Sequence, residues 1–302
     1  MNKNKEAHKA YNLLGWMFVA FTVLALLLLP QIFYLILNQI APKIANDASF
    51  AMLLTYVRMY IFALPLSLLI IRKLPDKTSS AKETSFSIKQ LVPLYLIAAG
   101  ITTFLNLLAV IFEAIIGKNA SATTASLAES NVPQWIFFLC GVIIAPIMEE
   151  VLFRWIPYKK LSGYGEKTYI VWSSIFFGLF HMNLAQSLYA TALGFIFATI
   201  TCRTGTIKYN VILHMTINFL GGVGIGSIIV RSNSQIALII YGLFNWGIAI
   251  AGIVVLILFL RRKKEVFLTK DSGNFDHKAL FNIPSILFYA FTIIMIIWSY
   301  FI

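Results

Sequence analysis

Ala145-Pro146-Ile147-Met148-Glu149-Glu150-Val151-Leu152-Phe153-Arg154-Trp155 sets two adjacent carboxylates and a guanidinium inside a run that otherwise reads as membrane-spanning. A charged side chain at bilayer depth costs a few kcal/mol or more, so it is rare unless paired and used. Glu150 and Arg154 are four apart and share a helical face, close enough to pair. Glu149 points about 100° away, the turn between successive helical residues. One carboxylate is then held by the arginine while the other faces a cavity, and that division of labour predicts chemistry.

The surrounding chain fits a membrane setting. Of its 302 residues 59% are hydrophobic and only 12% are charged, about half the charged share of a soluble domain, and the mean hydropathy is +0.82. The net charge of +12 sits in short loops between apolar runs, so it reads as a topology determinant and not as a nucleic-acid footprint. Cys140 and Cys202 fall in or beside apolar segments, which supports neither a disulfide framework nor a cysteine metal site. The first apolar run is too long for a signal-peptide core and lacks a small-x-small cleavage site, so it is expected to stay as an anchor.

Apolar stretches near the length of a spanning helix are predicted at about 13–37, 50–71, 91–116, 135–158, 169–182, 187–201, 207–220, 236–260 and 283–302. The expected fold is an all-α polytopic bundle of eight to nine transmembrane helices, one membrane domain over 1–302. Pro30 and Pro65 are expected to kink the first two spans. Loop charge alternates: Lys3, Lys5 and Lys9 lead, Arg72 to Lys89 follow the second span, Lys159, Lys160 and Lys167 the fourth, Arg203 and Lys208 the sixth, and Arg261 to Lys278 the eighth. The loops between are poor in charge, Lys118 and Glu129 in 117–134 among them. This places the amino terminus in the cytoplasm and the carboxyl terminus outside. Arg58 and Glu113, toward the outer ends of neighbouring spans, are read as a structural pair.

Three further polar groupings lie at membrane depth. Phe177 and His181 share a face of the fifth span, His214 and Asn218 share one on the seventh, and Asn183 and Gln186 sit near the fifth span's outer end. At 1.5 Å per residue Glu149 lies about 14 Å in from Tyr158, with His214 and His181 about 10 and 18 Å from the same end of their own spans. All three can converge, in a site expected to open to the cytoplasmic side. A carboxylate and a histidine sharing a water can make it a nucleophile, and a second histidine with an asparagine can hold a developing oxyanion. Alternatively Glu149, His181 and His214 are a two-histidine, one-carboxylate zinc set. No HExxH is present, and the residues by themselves leave both readings open. So do two non-proteolytic ones, a structural ion network and a transporter's proton path.

The motifs resemble a known family. Glu149-Glu150 with Arg154 is similar to the EExxxR motif of the CPBP family (CAAX proteases and bacteriocin-processing enzymes, also called Abi). Phe177 with His181 is similar to its FxxxH motif, and His214 with Asn218 to its HxxxN motif. The order and spacing agree across the stretch taken here as the catalytic core, 135–220. The resemblance implies an intramembrane endopeptidase acting on a membrane-associated peptide or protein. It implies Glu149 as the base with His181 helping, His214 and Asn218 on the oxyanion side, and Glu150, Arg154 and Phe177 in support, with either Zn2+ or a metal-free glutamate mechanism. Trp155 departs from the pattern, standing where many members have glycine.

Bacterial plasma-membrane location is expected. CAAX processing there is less expected than processing of a peptide precursor or self-immunity to a bacteriocin. Two other classes remain as alternatives. One is a non-catalytic membrane partner of another protein such as a sensor kinase, the other a proton-coupled transporter, for which no internal repeat is visible.

Overall fold

The computed structural model describes residues 3–79, 85–117, 131–261 and 275–301. The loop charges at Lys82, Lys118 and Glu129, and those from Arg262 to Lys270, lie outside them. No strand occurs among the described residues. Among the described residues seven helices are long and apolar enough to cross a membrane: α1 (Asn4–Ile40), α2 (Ala48–Ile71), α3 (Lys89–Ile115), α4 (Gln134–Tyr164), α6 (Leu184–Thr204), α7 (Lys208–Arg231) and α8 (Gln235–Arg261). Two shorter ones complete the set, α5 (Glu166–Phe180) and α9 (Ile283–Trp298). The nine expected apolar segments each become one of these helices, in an all-α bundle.

Prolines set the local geometry of the first, second and fourth helices. Four widened π-helical stretches, Val23–Leu28, Arg58–Ala63, Phe138–Ile144 and Val151–Trp155, each end two residues before a proline: Pro30, Pro65, Pro146 and Pro157. Proline has no N–H to give to the preceding turn and its ring presses on that turn's carbonyl, and a widened turn relieves the crowding. The freed carbonyls must find other donors in an apolar setting. Asn218 Nδ2 donates to Gly141 O at 2.9 Å, and Ser173 Oγ donates to Phe153 O. The two prolines that bracket Glu149 and Glu150 thereby tie α4 to α7 and to α5.

The main core gathers on α5, which is buried along most of its length. Trp172 stacks on Phe176 at 4.0 Å, Phe176 on Phe288 of α9 at 4.4 Å, and Phe18 of α1 packs against both Trp172 and Phe153. Small residues bring α5 and α6 close: a Cβ on Gly194 would meet Ser174 Cα at 2.7 Å. In α8, by contrast, only Ala249 and Gly252 are buried, and these two pack on Gly100 and Leu96 of α3.

Two expectations are corrected. The chain does not leave the membrane helix at Leu220: α7 runs on to Arg231 through a π-helical turn at Gly222–Gly226. The glycines beyond Leu220 allow close packing, with Val223 against Gly141 and Tyr241 Oη donating to Leu220 O at 2.9 Å. Arg58 and Glu113 do not pair. Arg58 Nη2 donates to Thr55 Oγ1 on its own helix, while Glu113 accepts from Tyr300 Oη at 3.1 Å, because α3 ends beside the chain following α9.

Candidate active site

The fourth helix carries the carboxylates into the bundle, and the π-helical stretches on either side of 145–150 let it bend around them. Glu150 and Arg154 are fully buried, with Arg154 Nη1 at 3.3 Å from Glu150 Oε1. That is ion-pair distance without hydrogen-bond alignment, and Arg154 Nε, Nη1 and Nη2 have no hydrogen-bond partner. The guanidinium instead lies over the Phe177 ring at 3.8 Å and near Phe197 at 5.3 Å, in the manner of a cation on an aromatic face.

His214, about two turns into α7, meets both carboxylates. Its Nδ1 is 3.0 Å from Glu150 Oε1 and its Nε2 is 3.6 Å from Glu149 Oε2. Glu150, held by Arg154, accepts from Nδ1–H, which turns Nε2 toward Glu149. Glu149 keeps 19% of its side chain exposed where Glu150 keeps none. The predicted division between a held and an open carboxylate is present, with His214 bridging the two.

His181 closes α5. Its Nδ1 lies 2.9 Å from Phe177 O, and because a carbonyl only accepts, Nδ1 carries the proton and Nε2 keeps a lone pair. The ring is within electrostatic reach of Glu149 and His214. The turn that follows is fixed by Asn183, which caps α6 by accepting from Gln186 N at 2.9 Å. Asn183 Nδ2 also donates to Gln186 Oε1 and to His181 O. Asn183 and Gln186 thus hold His181 in place. Phe177 sits at the centre, edge-on to His181 at 5.0 Å and to His214 at 5.9 Å. Asn218 is one helical turn beyond His214, and its bond to Gly141 O uses one of two amide protons.

Sequence reasoning missed Phe197 of α6, which packs on His214 at 5.5 Å, and also Tyr56 and Tyr60 of α2 and Tyr189 of α6. These three tyrosines lie within electrostatic reach of Glu149. A tyrosine pair four apart in an apolar span was the available signal for the first two; Phe197 is one aromatic among many. Among the described residues no group of three or more histidine, cysteine, aspartate or glutamate side chains is gathered so that it could hold a metal ion.

Residues 131–220 match the family described as type II CAAX prenyl endopeptidase Rce1-like. The "Putative membrane peptidase YdiL" of Bacillus subtilis (strain 168) is 33% identical over 138 residues, 43% of this chain and 54% of that protein. The chain thus spans about half the length of this curated relative. No solved structure matches it significantly. The matched stretch 131–220 holds Glu149, Glu150, Arg154, His181, His214 and Asn218, and over it the chain is similar to the Rce1-like family.

Proposed function

We propose that this chain is an intramembrane endopeptidase that adds water to a peptide bond in a membrane-associated peptide or protein. The observation that carries the reading is the convergence of Glu149, His181 and His214 from three helices in a mostly buried setting.

A water between Glu149 and His181 Nε2 gives one proton to Glu149, and its oxygen adds to the peptide carbonyl carbon. The carbonyl's π electrons move to its oxygen. His214, with Nδ1–H on Glu150 and a second proton on Nε2, donates to that oxyanion alongside the remaining amide proton of Asn218. Collapse of the tetrahedral intermediate expels the amine, which takes the proton from Glu149, leaving a carboxyl and an amino terminus. Glu150, Arg154 and Phe177 touch no reacting atom; they position His214. All these steps run through protein groups and water. The substrates favoured are a peptide precursor or a bacteriocin, in a bacterial plasma membrane.

The test is cleavage of an internally quenched peptide library by the purified full-length chain, compared with Glu149→Gln and His214→Ala, each with and without a chelator. A loss of about a hundredfold or more is expected in each variant, the scale set by a general base and one oxyanion donor. Cleavage unchanged in both variants would remove the site from this location. Cleavage lost with chelator and restored by zinc would replace the glutamate mechanism with a metal one. No cleavage, together with a cellular phenotype that survives Glu149→Gln, would favour a non-catalytic membrane partner.

A further inference from the structure

Where α3 begins and α6 and α8 end, the structure contains a cavity of about 190 Å³ that is separate from the carboxylate site. Leu94 and Ile97 of α3 and Ile196 and Ile200 of α6 make its apolar wall. Its charged lining is Lys89, the first residue of the α3 span, and Arg203, next to the last residue of the α6 span. None of the described residues lining it is acidic. The cavity therefore lies at the level where three spans reach one membrane face, apolar in depth and cationic at its edge.

Each half of that lining selects against a different ligand. A soluble anion would meet Lys89 and Arg203 but gain nothing from the apolar wall. A neutral lipid would fill the wall and leave the charges unused. Basic pockets between transmembrane helices at the inner interface suit anionic lipid headgroups, and the apolar wall suits part of an acyl chain. We infer that this cavity is a binding site for an anionic phospholipid, its phosphate between Lys89 and Arg203 and one acyl chain along Leu94, Ile97, Ile196 and Ile200. The wall adjoins the site above: Phe197, next to Ile196, packs on His214, so an occupied cavity braces the part of α6 that supports that ring.

Binding is measured without reference to peptide cleavage, so its outcome is independent of the proposed activity. The delipidated full-length chain is titrated in neutral detergent with phosphatidylglycerol, with phosphatidylcholine of the same acyl chains, and with glycerol 3-phosphate, and bound lipid is counted by native mass spectrometry. One phosphatidylglycerol is expected to bind well ahead of phosphatidylcholine, and glycerol 3-phosphate is expected not to compete. Lys89→Gln and Arg203→Gln should each weaken phosphatidylglycerol about fivefold, the worth of one basic side chain at a charged membrane surface, and leave phosphatidylcholine unchanged. Ile200→Trp, which fills the cavity, should abolish both. Equal binding of the two lipids, competition by glycerol 3-phosphate, or unchanged binding in the double glutamine variant would each overturn the assignment. If Ile200→Trp fails to fold, the two interfacial glutamine variants decide the question.

Discussion

Arg154 is the most demanding single residue in the molecule. It is fully buried, its counter-charge is Glu150 one turn away, and its nitrogens make no hydrogen bonds. A buried ion pair is weakly stabilising at best, yet removing one partner is severe because the other charge is stranded. Arg154→Met is therefore expected to destabilise the protein by about 3–5 kcal/mol, read as a large drop in melting temperature in detergent. Arg154→Lys should recover little, since an ammonium lacks the planar face that lies on Phe177. Glu150→Gln with Arg154→Met removes both charges and should be more stable than Arg154→Met alone; a double variant as unstable as the single one would show that the pair is not the relevant unit. The pairing itself was legible in the sequence, because i,i+4 spacing on a helix fixes it. The bond from Glu150 to His214 was not, because no local spacing relates residues 64 apart.

At the level of the helix, Pro157 and Ser173 act as one device. The proline widens the turn after Glu150 and the Phe153 carbonyl finds its donor in the Ser173 hydroxyl on α5. Ser173→Ala leaves that carbonyl without a partner in an apolar setting, at a cost of about 1–3 kcal/mol. Pro157→Ala restores a backbone N–H in α4, so the cost of Ser173→Ala should shrink in a Pro157→Ala background. Additive costs in a double-mutant cycle would separate the two residues. A second contrast belongs to this scale. Gly252→Ala in α8 drives a methyl into the Leu96 carbonyl of α3, whereas Gly247→Ala meets nothing within 4 Å. The first is expected to lose about 1–3 kcal/mol of stability and the second to be neutral or slightly stabilising, both measured by thermal denaturation in detergent. The apolar runs announced every helix, since hydropathy alone separates span from loop. They did not announce how far α7 runs, because Gly221, Gly222, Gly224 and Gly226 look like punctuation until Gly141 is seen lying against Val223. Arg58 and Glu113 fail for a related reason: spans adjacent in sequence need not bring their side chains together, and Tyr300, just past the end of α9, donates to Glu113.

For the molecule as a whole, the alternation of basic loops has a structural counterpart. Lys77 N donates to Lys159 O, Lys160 Nζ pairs with Asp76 at 2.8 Å, and Gly163 N donates to Lys77 O, so the basic ends of α2 and α4 are joined. His8 at the start of α1 meets Asp276 at 2.8 Å, and Asp276 N donates in turn to Thr168 Oγ1 at the start of α5. The ends that the charge pattern assigns to one side are thus in contact with one another, and retention of basic segments on the cytoplasmic side predicts that this whole face is inside. Lys43, in the short connection between α1 and α2, and Lys73, just past the end of α2, are both exposed and lie at opposite ends of the same helix. Cys140 and Cys202 are buried, so they should contribute little background to thiol labelling. In intact cells an impermeant maleimide is expected to label Lys43→Cys directly and Lys73→Cys only after permeabilisation. The reverse pattern would turn the molecule over and place the cationic cavity of Lys89 and Arg203 in the outer leaflet. Labelling of both positions from one side would mean that α2, for all its length and hydropathy, does not cross the membrane.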